Sequence, residues 1–364
     1  MRSMQWLNKL GPGLLYAGAA VGVSHIVQST RAGAEYGVVL ILAVLLAHLV
    51  KYPFFKMGPW YAAQSGESLV DAYYKLGRWA VVVIFLLTFS TMFSIQAAVT
   101  VVTAGIAQKI SGLQLAPWQW SGILLLICLL ILGLGHYQLL NNLMKWIILL
   151  LSVTTLVAVL SSFGGTSSAK EGSKAVFDLG EHSHLLFLVA FLGWMPAPLD
   201  ISIWHSLWGV ANANGKPSDV GRALLDFRIG FWGTAFLAIC FVMLGANVLY
   251  GSGEELSSKG AVYAGQLIDV YTAQIGKWAY WVIAIAALTT MFSTTLTCLD
   301  ASPRLLRRIS QLSLSGGDAE KLKEVEIKTQ RSSYWFWILL LSGGTLVILA
   351  YFIENMRQMV DVAT

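Results

Sequence analysis

"GPGLLYAGAAVGVSHIVQSTRAGAEY", residues 11–36, begins as an apolar run and is then interrupted by small and polar residues. The interruption is GVSH, which contains Gly22, Ser24 and His25. A helix-like pattern resumes directly after it. Irregular backbone at membrane depth is tolerated only where it is buried in protein or lines a cavity, because lipid offers no hydrogen bonds. The interruption therefore bears on both the fold and the function.

The composition indicates a polytopic helical membrane protein. Of the 364 residues, 56% are hydrophobic and 12% are charged, whereas soluble domains carry about 25% charged residues. Three cysteines in apolar runs do not form a disulfide framework. The sequence contains no HExxH, GxSxG or P-loop motif. We therefore expect neither an enzyme nor an ATP-driven pump, and we assign no cofactor.

Nine apolar runs are long enough to cross a hydrocarbon core of ~30 Å as helices. A transmembrane strand would be about half as long and would alternate strictly. The predicted spans are residues 11–32, 37–57, 79–107, 119–136, 138–162, 184–212, 224–250, 278–301 and 334–353.

The basic residues predict the orientation of these spans. With the N-terminus in the cytoplasm, seventeen of the 24 basic residues, including Lys51 and Lys56, fall on the inner side, as the positive-inside rule expects. We then predict that the charged stretch 304–333 is a solvated cytoplasmic connection. We predict an integral protein of the inner or plasma membrane, whose partners are the bilayer and a small transported solute. The excess of basic residues on the inner side also explains the net positive charge of the chain, so we expect no nucleic-acid partner.

The sequence contains an internal repeat. Residues 68–94 and 266–293 share a polar entry with Leu, Asp, Tyr, Gly and Trp in register, and both end in TMFS. The copies lead into the third and eighth spans, five spans apart, so they cross the membrane in opposite senses. This predicts the inverted repeats of secondary transporters: helices 1–5 in residues 1–163, an outer loop at 164–183, and helices 6–9 in residues 184–364.

The inverted repeat pairs span 1 with span 6, which is also interrupted. Pro196 and Pro198 cannot both lie within a regular helix, so we predict a break at 195–199, with Asp200 as a candidate cap for the second half-helix. Both interruptions lie near mid-span, where transporters with broken helices bind their substrates. We therefore predict a substrate site at this level.

The residues of helices 1 and 6 resemble those of the NRAMP family of divalent-metal transporters. The GPG start and AGAxYG end of residues 11–37 match the family's first helix, and Met195-Pro196 resembles the start of its helix-6 MPHN motif. The "HS" of residues 205–206 resembles the end of that motif. The resemblance implies the LeuT fold, and it extends in order through all nine spans.

The departures from the family pattern concern the metal ligands. The family's Asp-Pro-Gly-Asn stands at residues 22–25, where this chain has Gly-Val-Ser-His, and its helix-6 His-Asn becomes Ala197-Pro198. Helix 3, acidic in the family, carries only Gln96 besides hydroxyls. Met195 remains from the family's side-chain ligands, and His25 stands where the Asn would be. The chain is thus similar to a divergent branch with altered ligands and altered coupling.

Two classes of substrate stay open. His25 and Met195 offer the imidazole and thioether donors that suit a transition metal, which makes a divalent metal cation the leading candidate. The missing carboxylate equally suits a small organic solute, and a non-transporting membrane sensor or assembly subunit is a further alternative. The candidate substrate-binding residues are Gly22, Ser24, His25, Gln28, Met195, Ala197 and Asp200; those for gating or a proton path are His205, Asp226 and Gln96.

Two further expectations concern helix 8 and the C-terminus. The Ser and Thr residues of 289–297 either face the pathway or hold helices together. The resemblance implies a tenth helix, whereas this sequence ends just after the ninth. We expect a shortened second repeat, as in a fragment or a protein in which a partner or other packing replaces helix 10.

Overall fold

The computed structural model describes residues 11–134, 137–163, 176–252, 257, 260–329 and 331–352, and no strand occurs within these ranges. The α-helices are α1 Pro12–Ala20, α2 Thr30–Tyr36, α3 Ile41–Ser65, α4 Leu69–Leu76, α5 Arg78–Ser111, α6 Pro117–Leu134, α7 Tyr137–Ser162, α8 His182–Trp194, α9 Ile201–Asn212, α10 Val220–Val248, α11 Gly260–Ile275, α12 Tyr280–Ser315, α13 Ala319–Thr329 and α14 Ser332–Tyr351. A π-helical segment, Val23–Ser29, joins α1 to α2.

Within the described residues, six helices are long and apolar enough to cross a membrane. They span Ile41–Ser65, Arg78–Ser111, Met144–Ser162, Val220–Val248, Lys277–Ser315 and Ser332–Tyr351, and two shorter apolar helices are Pro117–Gly133 and His182–Trp194. Exposed apolar side chains such as Leu42 and Leu86 give α3 and α5 lipid-facing surfaces. The all-helical membrane class is confirmed, and the count of nine spans stays a prediction.

The centre of the bundle is built by α1, α5, α10 and α12, with α10 packed along α1, α2 and α3. Helices α1 and α10 touch through glycines. A Cβ on Gly13 would lie 2.2 Å from the Asp226 carbonyl oxygen, and one on Gly230 would lie 2.2 Å from the Gly13 carbonyl oxygen. Small residues at such crossings let the helix backbones approach closely, as is common in membrane proteins.

The sequence repeat has a counterpart in the local structure. In the first copy, α4 ends at Gly77 with φ 148° and α5 follows; in the second, α11 ends at Gly276 with φ 119° and a short 3₁₀ turn leads into α12. Glycine adopts such positive φ angles without steric cost. The shared Gly-x-Trp thus encodes the same corner between a short and a long helix.

Each short helix also forms an ion pair with the long helix of the other copy. Asp71 of α4 accepts from Arg308 near the end of α12, with Nε 2.9 Å from Oδ1. The equivalent Asp269 of α11 accepts from Lys109 near the end of α5 at 2.6 Å. The two ion pairs therefore occupy equivalent positions in the two copies of the repeat. The boundaries proposed for the two repeats stay a prediction.

One sequence expectation is corrected. The stretch 304–333 is not a solvated connection throughout, since α12 continues to Ser315 and α13 follows. Its Arg308 is only 19% exposed because it pairs with Asp71. Helix α3 continues to Ser65 through Pro53 and Pro59, so Lys51 lies well inside this helix, and its placement on the inner side stays a prediction.

Candidate functional site

The interruption of helix 1 is short. α1 ends at Ala20, Val21 and Gly22 leave the helical conformation, and the π-helical segment begins at Val23. Ser24 and His25, expected in an unwound stretch, therefore lie in a widened turn. A Cβ on Gly22 would lie 2.4 Å from Thr294 Oγ1 of α12. Glycine at this position allows the interruption to lie directly against α12.

Hydroxyl groups of α12 satisfy the backbone carbonyls that the interruption leaves free. Thr294 Oγ1 lies 3.1 Å from the Gly18 carbonyl oxygen and 3.0 Å from that of Val21, and Ser293 Oγ lies 3.3 Å from Gly18. Thr295 pairs with Thr103 of α5 at 2.8 Å. These contacts favour the interpretation that the hydroxyls of α12 hold helices together.

His25 is fully buried, and both of its ring nitrogens contact polar groups of the protein. Nδ1 lies 2.7 Å from Ser24 Oγ, and Nε2 lies 3.0 Å from the Thr234 carbonyl oxygen of α10. Ser24 Oγ also contacts the Ala20 carbonyl oxygen at 2.5 Å. His48 of α3, which sequence reasoning missed, lies 3.4 Å from Thr234 Oγ1. His25 thus links the interruption of helix 1 to α10.

The π-helical segment meets the helix-6 break at Met195. Its sulfur lies 3.9 Å from Ser29 Oγ at the end of the π-helical segment, and its side chain is fully buried. Gln28, one residue earlier, is also fully buried. The structure therefore brings the π-helical segment and the predicted helix-6 break into contact.

The helix-6 break lies where the two prolines predict it. α8 ends at Trp194, α9 begins at Ile201, and residues 195–200 between them are not helical. Lys51 of α3 contacts the end of α8: its Nζ donates to the Leu192 and Gly193 carbonyl oxygens at 2.8 Å each, and the Ala197 carbonyl oxygen lies at 3.5 Å. Sequence reasoning missed Lys51, although an ionisable residue inside an apolar helix signals function by default.

Asp200 directly precedes α9 without the predicted capping contact. Its side chain makes no cap hydrogen bond, and its Oδ1 is buried without a hydrogen-bond partner. Trp204 Nε1, one turn further along α9, is also buried and unpartnered. A buried polar atom without a partner costs about 1–3 kcal/mol, so these two atoms mark a place where a ligand or water would be stabilised.

The remaining predicted residues lie apart from the break. His205 stacks on Tyr16 of α1, with ring centroids 5.7 Å apart, and its Nδ1 is buried without a partner. Asp226 accepts from the backbone N–H groups of Gly11 at 3.1 Å and Gly13 at 2.7 Å. It therefore caps α1 and does not pair with Arg228, which donates to Tyr52. Gln96 donates to the Thr295 carbonyl oxygen and so joins α5 to α12.

A polar cavity of about 880 Å³ lies beyond the other end of α9, lined by residues of α4, α9, α12 and α13. Asp300, fully buried and missed from the sequence, lies beside it. Its carboxylate accepts from Trp208 at 3.2 Å, Arg304 at 2.6 Å and Tyr334 at 2.7 Å. Asp200, Trp204 and Trp208 follow one another at four-residue intervals along α9. They form a line of polar groups from the break toward this cavity.

The predicted metal ligands His25 and Met195 each contact other groups of the protein. In the part of the chain that the structure describes, no three His, Cys, Asp or Glu side chains are grouped to hold a metal ion. The nitrogens of His25 contact Ser24 and Thr234, and the sulfur of Met195 contacts Ser29. The assignment of these two residues as metal ligands stays a prediction.

Comparisons with known proteins relate nearly the whole chain to one family. The family model "natural resistance-associated macrophage protein-like" matches residues 13–363. A protein of Pasteurella multocida, described as uncharacterized, is 40% identical over 308 residues, which cover 82% of this chain and 70% of that protein.

Solved structures share the fold at low sequence identity. A closed conformation of Mhp1, a nucleobase-cation-symport-1 family transporter with bromovinylhydantoin bound, matches with a TM-score of 0.63 and 13% identity, over 98% of this chain and 74% of that one. A manganese transporter of Eremococcus coleocola matches with a TM-score of 0.57 and 15% identity, over 94% and 76%. The inverted-repeat transporter fold predicted from the sequence is confirmed.

Proposed function

Because the chain belongs to the natural resistance-associated macrophage protein-like (NRAMP) family, which places it among secondary transporters, we propose that it moves a small solute by alternating access around the interruptions of helices 1 and 6. The observation that carries this proposal is the contact between the π-helical segment, at Ser29, and the helix-6 break, at Met195. Half-helix ends that meet near mid-span supply fixed partial charges and free backbone groups for a solute.

The polar atoms at the break define the proposed site more closely. Asp200 Oδ1 and Trp204 Nε1 have no hydrogen-bond partner, so a solute with both a donor and an acceptor would satisfy them together. The line from Asp200 through Trp208 leads to the polar cavity, which serves in this proposal as the route to one side of the membrane. Gly22 contributes by keeping helix 1 close to α12.

A divalent metal cation is the substrate that family membership supports. The likeness to a manganese transporter agrees with it. In this version Asp200 supplies the carboxylate that the first helix lacks, and His25 and Met195 complete the coordination after exchanging their present partners. A first-shell carboxylate of this kind is usual for hard divalent ions.

A small organic solute is the second candidate, and one observation favours it. Lys51 donates to carbonyl oxygens at the end of α8, so these oxygens are not free to coordinate a metal ion. An uncharged or zwitterionic solute would bind Asp200 and Trp204 without displacing Lys51. The heterocycle bound to Mhp1 shows that this fold accommodates such a molecule in another protein.

Uptake into proteoliposomes distinguishes these substrates. We would measure Mn²⁺, a panel of zwitterionic amino acids and a hydantoin, with calorimetry of the purified protein in parallel. Asp200→Asn should reduce uptake of the true substrate at least tenfold, whereas Asp219→Asn, an exposed carboxylate at the start of α10, should leave it unchanged. Absence of both flux and binding for all three classes would overturn the transporter assignment and leave the sensor or assembly role.

The orientation is proposed from the charge bias alone. We propose a cytoplasmic N-terminus in an inner or plasma membrane, supported by the excess of basic residues in 304–331. Reporter fusions after residues 113 and 215 test it, since these turns should lie on opposite sides of the membrane. Equal reporter activity at both positions would contradict the proposed orientation.

A further inference from the structure

The ammonium group of Lys51 lies in a cage of backbone oxygens at the helix-6 break. Its Nζ is 2.8 Å from the carbonyl oxygens of Leu192 and Gly193 and 3.5 Å from that of Ala197. An ammonium group has three N–H donors and no acceptor, so the three carbonyls match its full hydrogen-bonding capacity. Among the residues that the structure describes, no carboxylate lies within ion-pair distance of Lys51.

The cage has the electrostatics of a cation site. Leu192 and Gly193 are in the last turn of α8, where the carbonyls lack intrahelical partners and the helix dipole adds partial negative charge. The Ala197 carbonyl comes from the non-helical break itself. In transporters with broken helices, the C-terminal ends of half-helices and freed carbonyls are the places that coordinate coupling cations.

We propose that Lys51 is a built-in cation, which fills a carbonyl cage that would otherwise bind a free monovalent cation such as Na⁺. The inference rests on the proposed function in that the helix-6 break is taken as the transport site. It makes Lys51 a residue that determines specificity, because its ammonium group neutralises the half-helix end and the break then needs no free cation there. The same charge disfavours a second cation within the cage.

The neighbouring Lys56 provides a matched comparison. It lies five residues further along α3 and forms no hydrogen bond or ion pair with the residues described. Replacing either lysine by methionine removes one positive charge and keeps a flexible apolar stem. Only the replacement of Lys51 removes a donor from the carbonyl cage.

The test uses the full chain, purified in detergent, with thermal melting in NaCl, KCl and choline chloride at equal ionic strength. The wild-type protein and Lys56→Met should melt at the same temperature in all three salts. Lys51→Met should melt several degrees lower in choline chloride, and Na⁺ or K⁺ should restore part of the loss with saturable dependence. In Lys51→Met, such a cation-specific response would come from a free cation bound in the vacated carbonyl cage.

Two results would overturn the proposal. One is saturable stabilisation of the wild-type protein by Na⁺ with Lys51→Met unchanged; the other is identical melting of Lys51→Met and Lys56→Met in all salts. Should Lys51→Met not fold in choline chloride, its expression in Na⁺ and the melting of Lys51→Gln supply the same comparison. Because melting needs no transported solute, the outcome is independent of whether the uptake experiments succeed.

Discussion

At the residue scale, the carboxylate of Asp226 stabilises a helix that begins more than two hundred positions earlier. It accepts from the N–H groups of Gly11 and Gly13, which have no intrahelical partner at the start of α1. Pro12 between them fits the first helical turn, where its missing N–H costs nothing. The GPG sequence is therefore explained by the approach of α10 to the start of α1.

Loss of this cap should destabilise the protein measurably. Asp226→Ala removes both hydrogen bonds, and we expect the free energy of unfolding to fall by about 1–2 kcal/mol, the upper range for a helix cap. Asp219→Ala, which removes the exposed cap of α10 at Arg222, should cost less than about 1 kcal/mol. Denaturant titration in micelles compares the two. An equal effect of both substitutions would show that the burial of Asp226 contributes nothing.

The close contact between α1 and α10 leads to a second prediction, which concerns Gly13. A Cβ on Gly13 would overlap the backbone of Asp226, which cannot rotate away as a side chain can. Gly13→Ala should therefore lower the free energy of unfolding by about 1–3 kcal/mol, as overpacking does. Gly343→Ala in α14, where no atom lies within 4 Å of the added Cβ, should be neutral or stabilising by up to about 1 kcal/mol. Thermal melting of both variants checks the contrast.

At the scale of elements, the ion pairs that hold the two short helices, α4 and α11, differ in strength. Asp71 and Arg308 are largely buried, with 8% and 19% of their side chains exposed, whereas Asp269 and Lys109 are 58% and 34% exposed. Asp71 also closes a capping box with Ser68 at the start of α4. The same sequence motif thus produces a buried ion pair at one end of the bundle and a solvated pair at the other.

This difference predicts unequal effects of the same substitution. Asp71→Asn should cost about 2–3 kcal/mol of unfolding free energy, somewhat less than the 3–5 kcal/mol of a fully buried pair, because Glu326 still accepts from Arg308. Asp269→Asn should cost less than about 1 kcal/mol and still less at high salt, since exposed pairs are weak and screened. Denaturant titration at two salt concentrations measures both. A larger effect of Asp269→Asn would contradict the assignment of the buried ion pair as the stronger interaction.

The sequence predicts what is local and misses what depends on distant partners. Two prolines within three residues predict the helix-6 break, and the residues shared by 68–94 and 266–293 predict the internal repeat. Lys51 is missed because the charge count assigns it to the inner side with Lys56, although α3 continues to Ser65. The partner of His25, Thr234, lies 209 positions away. No periodicity in the sequence brings these two residues together, so this contact of His25 Nε2 could not be anticipated.

At the scale of the whole molecule, the two ends of the proposed pathway differ. The polar cavity opens near α4, α9 and α12, whereas α11 covers the π-helical segment at the other end. Tyr263 Oη donates to the Val27 carbonyl oxygen at 3.0 Å, and Tyr271 Oη lies 3.0 Å from Thr30 Oγ1. Among the described residues beneath α11 lies a small apolar cavity of about 50 Å³. We infer that the proposed pathway is closed at the α11 end in this structure.

Loss of the two tyrosine hydroxyls should favour opening at that end. Each hydrogen bond contributes about 0.5–1.5 kcal/mol, so Tyr263→Phe combined with Tyr271→Phe should raise the open population roughly 5- to 150-fold. A cysteine at Thr155, which lines the cavity, reports it through its rate of reaction with a charged maleimide. The background carries alanine in place of the three native cysteines, which are Cys128, Cys240 and Cys298.

Tyr280→Phe is the control, since this tyrosine follows the corner after α11 without a hydroxyl hydrogen bond in the described structure. Equal labelling rates in the double variant and the control would show that α11 does not close the pathway.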